Sequence, residues 1–293
     1  MIRERILTVA SELRRIARHR VIESELEWPG KLRLTRLRPV KTTWRGHVMN
    51  KAGKVVMRGE LAGAPIKLYE VESDEHAIFI EALTKLDEIA AWFPKVIARH
   101  GRCVVTEWVE GEMPGDDLPL PEIIEIQVRL HRVAASRLPP RGYDFWGDFL
   151  RPRFVRAADM LGSNVDDIVA LVDAETARPP LVLVHPDFRP ANLIRATDAR
   201  WMLIDNEYCA TSGLPLLDIC HTAKSLRERS TEYWQIYRDL SGVQPSTTTL
   251  AALQGAWLAR LVGAAFVTGN IGAAAATLQR YRLGHNLLPF DPS

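Results

Sequence analysis

Two aspartates, Asp187 and Asp205, stand 18 residues apart, each just past a short apolar run: LVLV at 181–184 and WMLI at 201–204. Asn192 follows the first aspartate by five positions. Two carboxylates and an amide oxygen are hard ligands, suited to Mg²⁺ with phosphate oxygens completing its shell. An acid left outside that shell can orient a hydroxyl nucleophile and take its proton. Phosphoryl transfer makes these demands: position the acceptor, neutralise phosphate charge, exclude water. If the two apolar runs are paired strands, both acids reach one edge of the fold, and Asn192 returns there through the intervening loop.

The elements that must do this positioning are legible from periodicity. Ile2, Ile6, Val9, Leu13 and Ile16 in MIRERILTVASELRRIARHR predict an amphipathic helix packed on its own domain. Residues 31–70 read as strands and turns, with KLRLTRL alternating and hairpin turns at Ala52-Gly53 and at Gly63. SDEHAIFIEALTKLDEIAAWF reads as a helix capped by Ser73, with Phe79, Leu83, Leu86 and Ala90 as its apolar stripe. RCVVTEWV (102–109) returns to strand, and the turn-rich EGEMPGDDLPLP marks a boundary. Beyond it PEIIEIQVRLHRVAAS is helical, with Pro121 in its first turn and Ile123, Ile126, Leu130 and Val133 on one face. From Pro215 to about Leu283 the chain reads as helices. The expected class is α+β: a small β-rich lobe over residues 1–105, a connection at 106–112, and a larger α-rich lobe over 113–293.

Composition agrees with a globular chain. Of 293 residues, 47% are hydrophobic and 25% charged, and no uninterrupted apolar run approaches the roughly 20 residues of a bilayer span. The N-terminus lacks the continuous apolar core of a secretory signal. Cys103, Cys209 and Cys220 are odd in number, far apart and in no zinc pattern, which points to a reduced, cytoplasmic protein with cysteines as small core residues. Residues 1–105 hold 20 Lys+Arg against 13 Asp+Glu, while the rest hold 18 against 23. That asymmetry suits an anionic ligand with metal on the acidic side. Neither a nucleic-acid partner nor a membrane span is expected.

His185-x-Asp187-x4-Asn192, with Asp205 after the next strand, resembles the catalytic and metal-binding segments of the protein-kinase-like fold, in particular the aminoglycoside phosphotransferase and choline kinase superfamily. VRLHRV (128–133), TEWVEGE (106–112) and IDNEYCATSGLPLLDI (204–219) resemble that family's pre-catalytic helix, hinge and metal loop, the last with Asp218 as a brace. The likeness extends over roughly residues 30–225. It implies a two-lobed protein-kinase-like architecture and an ATP-dependent, Mg²⁺-requiring kinase acting on a hydroxyl of a small molecule, with GTP as an open alternative nucleotide. By the resemblance, Asp187 is the catalytic base, Asn192 and Asp205 hold Mg²⁺, and His185 stabilises the catalytic loop. Arg189 reaches toward the transferring phosphate, and Glu207 faces the acceptor or supports the metal loop.

On the N-terminal side the resemblance implies that Lys67 contacts the α- and β-phosphates, held by a glutamate from the following helix. Glu75 and Glu81 both offer; six residues separate them by about 120° around a helix, so only one faces the lysine. FIEALTKL favours Glu81. The phosphate-covering stretch RPVKTTWRGHVM departs from protein kinases, with Gly46 alone where they carry three glycines, so Thr42 and Thr43 stand in for phosphate contact. By the same resemblance, Glu107, Trp108 and Val109 belong to the hinge that would receive adenine on backbone groups.

Other readings stay open. A nucleotide-binding pseudokinase or scaffold without turnover would carry much of the same pattern. A protein kinase is disfavoured because no Ala-Pro-Glu motif follows Asp205 and Asn-Glu-Tyr replaces Phe-Gly. A metal-dependent hydrolase would need more histidine ligands than His185. The acceptor is open among amino-alcohols, sugars, vitamins and aminoglycoside-like antibiotics. Past Asn206 there are six acidic residues against seven Lys/Arg, so the acidic surplus that suits a polycation is absent.

Overall fold

A computed structural model describes residues 26–30, 32–40, 42–44, 47–49, 56–115, 118–140 and 144–292. The expected first helix, the Ala52-Gly53 turn and Gly46 lie outside the described residues. Two compact units emerge: one from positions up to Gly111 together with Ala196–Met202, the other from Glu112–Arg195 and Leu203 onward.

The first unit is an antiparallel sheet in the order β1-β2-β5-β6-β8-β7. Its strands are β1 (Leu26–Trp28), β2 (Leu32–Pro39), β5 (Val56–Leu61), β6 (Ala64–Glu70), β7 (Val96–His100) and β8 (Cys103–Glu107). β3 (Thr42–Trp44) and β4 (His47–Met49) pair as a separate ribbon. Gly63, at φ +83, closes the β5–β6 hairpin in the left-handed region that favours glycine. Side chains alternate between faces. Leu34, Met57, Ile66, Leu68, Cys103 and Val105 pack on one side, while Tyr69, Val71 and Val104 pack with Ala77 and Ile80 of the helix α1 (Asp74–Leu83) on the other.

α1 begins where Ser73 predicts, its side chain accepting from the His76 N–H at 3.1 Å. It stops earlier than the apolar stripe suggests. The Thr84 hydroxyl donates back to the Glu81 carbonyl, and Lys85 N–H bonds the Ala82 carbonyl, tightening the last turn. β7 carries no clear alternation (VIARH), so this edge strand was not readable from the sequence.

The second unit holds the short strands β10 (Val182–Val184), β11 (Leu193–Ala196), β12 (Trp201–Leu203) and β13 (Ala210–Ser212), the hairpin formed by β11 and β12 extending into the first unit's range; β9 (Gly111–Glu112) lies at the boundary. Its helices are α2 (Leu120–Leu130), α3 (Arg151–Met160), α4 (Asp166–Thr176), α5 (Leu216–Leu226), α6 (Ser230–Ser241), α7 (Thr247–Val267) and α8 (Ile271–Arg282). α2 starts with Pro121 in its first turn and buries Ile123, Ile126 and Leu130. It ends at Leu130, and Val133 reaches the core from the turn beyond. α7 is the hub, packed against α3, α4, α5 and α8. By length and composition α7 could cross a bilayer, but half of its apolar span is buried inside the protein. All three cysteines are buried and none is in a disulfide among the described residues.

One expectation is corrected. The acid-bearing strands β10 and β12 do not pair with each other: β10 pairs with β13, and β12 with β11. The two loops meet instead through a backbone bond from Ile204 N–H to the Asn192 carbonyl at 2.9 Å.

Candidate active site

The loop 185–188 leaves the buried end of β10 and is held by one face of α5. Asp218, His221 and Thr222 lie at i, i+3 and i+4 and therefore point the same way. Asp218 Oδ2 accepts the His185 N–H at 3.2 Å, the His221 Nδ1 lies 3.1 Å from the Pro186 carbonyl, and the Thr222 hydroxyl donates to the Phe188 carbonyl at 2.7 Å. α5 is placed in turn by Gly213, where a Cβ would run into the Glu175 and Arg178 carbonyl oxygens. Asp218 is buried and also lies 2.9 Å from His131 Nε2, whose Nδ1 is 2.8 Å from the Tyr237 hydroxyl. Burial pushes the Tyr237 phenol up, so it remains a donor. The consistent assignment is Tyr237 O–H to His131 Nδ1 and His131 Nε2–H to Asp218.

Asp187 sits in this frame with its side chain 18% exposed. Asn192 Nδ2 donates both to its carbonyl and to its Oδ2, each at 2.8 Å. Arg189 Nη2 stands 3.3 Å from Oδ2, His221 Nδ1 3.3 Å from Oδ1, and Arg260 Nη2 3.7 Å from Oδ1. Arg260 Nη2 also lies 3.1 Å from the His221 ring nitrogens. Burial, and then the Arg260 and Arg189 charges, hold the His221 pKa well below its usual range. A neutral ring with its proton on Nδ1 satisfies two of these contacts: Nδ1–H donates to the Pro186 carbonyl beside Asp187, and Nε2 accepts from Arg260. Burial lowers the Arg260 pKa to about 10, against the opposing attraction of Asp187, so it stays charged at neutral pH.

His185 is fully buried, edge-on to Phe188, and its ring nitrogens have no hydrogen-bond partner among the described residues. Burial lowers its pKa although the Asp187, Asp218 and Asp205 charges pull the other way. It is a neutral packing element of the loop. Asp205 takes φ 58, an unusual left-handed conformation for a non-glycine residue, directly before the turn Asn206–Tyr208. Glu207, in that turn, is buried.

The donor set fits Mg²⁺. Asn192 turns its Nδ2 to Asp187, and its Oδ1 accepts no hydrogen bond among the described residues, so this oxygen could serve a cation. No group of three or more His, Cys, Asp or Glu gathers into a metal cage among the described residues. Mg²⁺ asks for no such cage; it takes one or two protein oxygens with water and phosphate.

In the first unit, Lys67 stands on β6 opposite Arg58 and Thr106, with Nζ 4.9 Å from the centre of the Tyr69 ring. Glu81 is engaged elsewhere: its carboxylate bonds Lys85 at 2.7 Å and Arg99 at 2.8 Å, which together lower its pKa. The expected Glu81–Lys67 pair is not among these bonds, because the unforeseen strand β7 brings Arg99 to the helix. Glu75 is exposed. Glu107 N–H bonds the Lys95 carbonyl and Trp108 N–H the Pro65 carbonyl, while Arg58 stacks over the Trp108 ring at 4.5 Å. The Val109 N–H makes no such bond among the described residues. Thr42 and Thr43 lie in β3, paired with Met49 and Val48.

His221 and Arg260 were missed from the sequence. Each left a signal: His221 shares a helical face with the bracing Asp218, and Arg260 is the one charged residue in the apolar α7.

With this geometry in hand, the chain can be set beside known proteins. The model of the phosphotransferase enzyme family (APH) matches residues 66–264, so the chain belongs to that family. Among solved structures, a provisionally named fructosamine-3-kinase from Thermobifida fusca YX-ER1 matches with a TM-score of 0.50 and 19% identity, covering 84% of this chain and 94% of that one. A second, from Haemophilus somnus 129PT, gives 0.52 and 13%, covering 83% and 92%. A provisionally named aminoglycoside phosphotransferase from Ralstonia eutropha JMP134 gives 0.51 and 12%, covering 94% and 98%. These likenesses establish the kinase-like α+β fold, with a β-rich N-terminal part and a helical C-terminal part. No curated protein matches the chain in sequence.

Proposed function

We propose that the chain transfers the γ-phosphoryl group of ATP to a hydroxyl of a small molecule, with Asp187 as the base. The observation that carries this reading is the setting of Asp187: a partly exposed carboxylate held by Asn192 and α5, beside an asparagine whose Oδ1 is left open. The acceptor hydroxyl gives its proton to an Asp187 oxygen as the acceptor oxygen bonds the γ-phosphorus. The bond from that phosphorus to the β,γ-bridging oxygen breaks, and its electron pair leaves on ADP. Asn192 and Asp205 would hold Mg²⁺, which when bound neutralises phosphate charge. Arg189, paired with Asp187, orients the base. Lys67 is the proposed phosphate contact of the first unit, with Thr42 and Thr43, and the Val109 N–H with its neighbours Glu107 and Trp108 the proposed adenine contact. Glu207 is proposed to support the loop that carries Asp205.

A second reading, nucleotide binding without turnover, draws support from Glu81 being engaged by Lys85 and Arg99. One experiment separates the two. ADP release from Mg²⁺–ATP is followed over a panel of hydroxyl compounds, for the wild type and Asp187→Asn. Acceptor-dependent ADP release that Asp187→Asn abolishes supports the kinase. Mg²⁺-dependent ATP binding with no acceptor-dependent release supports the second reading, and equal activity in the variant sinks the assignment of Asp187.

A further inference from the structure

The two oxygens of Asp187 have unequal surroundings. Oδ2 accepts from Asn192 Nδ2 at 2.8 Å and faces Arg189 Nη2 at 3.3 Å. Oδ1 accepts no hydrogen bond among the described residues, yet it is not sealed from solvent. Its neighbours are His221 Nδ1 at 3.3 Å and Arg260 Nη2 at 3.7 Å. Arg260 is built into the protein: it rises from the hub helix α7, its side chain is only 19% exposed, and its guanidinium carbon lies 5.7 Å from the centre of the Phe145 ring. Asp187 is its one ion-pair partner among the described residues. A mostly buried guanidinium parted from that carboxylate would be an uncompensated charge. Nη2 also stands 3.1 Å from each His221 ring nitrogen, and the Nδ1 of that ring lies 3.1 Å from the Pro186 carbonyl, next to Asp187 in the chain.

We infer that Arg260 is a positioning residue for the base: from α7, directly and through His221, it holds the Asp187 carboxylate so that Oδ1 faces the acceptor hydroxyl. The last torsion of an aspartate side chain is broad and roughly two-fold, so a hydrogen bond on Oδ2 alone leaves the carboxylate free to swing. A charge anchored on a core helix beside Oδ1 removes that freedom. The two oxygens then divide the work. Oδ2 is occupied by Asn192 and Arg189, while Oδ1 keeps its lone pairs for the acceptor proton. The inference rests on the proposed function for the word acceptor, but the hold of Arg260 on Asp187 can be seen without turnover.

The test compares the wild type with Arg260→Met, Arg260→Gln and Arg260→Lys in two readouts. Crystal structures show where the Asp187 carboxylate stands. ADP release from Mg²⁺–ATP, with water, glycerol, D-glucose and ethanolamine as acceptors, gives kcat and the KM for ATP. In Arg260→Met the carboxylate should turn from its place, with kcat down about 10- to 100-fold, the range of a misplaced catalytic group, and the KM for ATP unchanged. Arg260→Gln, neutral but still able to donate to His221, gives the same reading should the methionine variant fail to fold. Arg260→Lys keeps the charge and should hold Asp187 and recover part of kcat. A merely structural role would lower the melting temperature and leave kcat of the folded protein as it was. That result, Asp187 unmoved in the neutral variants, or a loss of kcat that Arg260→Lys does not relieve would each overturn the proposal. Failure of the kinase reading looks different: none of the acceptors supports ADP release in the wild type, and the position of Asp187 in the variant structures still decides whether Arg260 holds it.

Discussion

Two histidines buried neutral make the protein sensitive to mild acid, and the size of the effect follows from linkage. His221 is depressed by burial and by Arg260 and Arg189; His185 is depressed by burial alone, against three nearby acids. In the unfolded chain both return to about 6.5. Unfolding therefore takes up protons below that value, so stability is intact above about pH 7, starts to fall as pH drops through 6.5, and keeps falling toward the depressed folded values. Between pH 7 and 5.5 a histidine that stays neutral in the fold costs about 1 kcal/mol, which is the share of His221, and His185 adds to it in the same direction. His100, also lowered by burial, adds to the total. Carboxylates with lowered folded values, such as Glu81, begin to contribute only below about 4.5, outside this window. The assay is urea unfolding at pH 7.0, 6.0 and 5.5 on the wild type and His221→Asn, whose amide can still donate to the Pro186 carbonyl but does not titrate. The variant should lose about 1 kcal/mol of the acid-induced drop. A wild-type stability that is flat over the window, or an identical slope in the variant, would refute the assignment of His221 as a buried neutral imidazole.

Asp205→Asn should erase the Mg²⁺-dependent part of ATP stabilisation, worth about 2.7 kcal/mol at a ligand concentration about 100 times Kd, read as the difference between thermal shifts with and without Mg²⁺. Ser73→Ala removes the cap on the His76 N–H and should destabilise the first unit by about 1 kcal/mol in denaturant, without changing the pH response of His221. Gly213→Ala forces a Cβ against the Glu175 and Arg178 carbonyls and should cost about 1–3 kcal/mol, with loss of activity as α5 shifts under the catalytic loop. A Gly213→Ala protein with unchanged melting and turnover would show that α5 is not held there.

Much of the fold was legible because its signals are local. The Ser73 cap, the Gly63 turn, Pro121 at the start of α2 and the apolar runs ending at Asp187 and Asp205 each announce an element within a few residues. What failed depended on distant partners. VIARH has no two-residue alternation because β7 is an edge strand whose pairing with β8 shifts register between Val96 and Ala98. Missing it hid Arg99, and with Arg99 the true environment of Glu81. Likewise two apolar runs looked like partners, yet β10 pairs with β13 beyond the second acidic loop and β12 with β11 before it.

The candidate site divides along the same line. Its acids and amide lie in two short loops, so residue type and spacing exposed Asp187, Asn192 and Asp205. The groups that set their chemistry come from helices far along the chain and fit an ordinary helical pattern. His221 on an apolar face looks like a core histidine until Asp218 and Thr222 are seen to hold the same loop. Arg260 is the more informative residue. A single charge in the middle of an apolar helix of 21 residues is costly to bury without a partner, so its presence there calls for an anion. Asp187 meets that need through one nitrogen only.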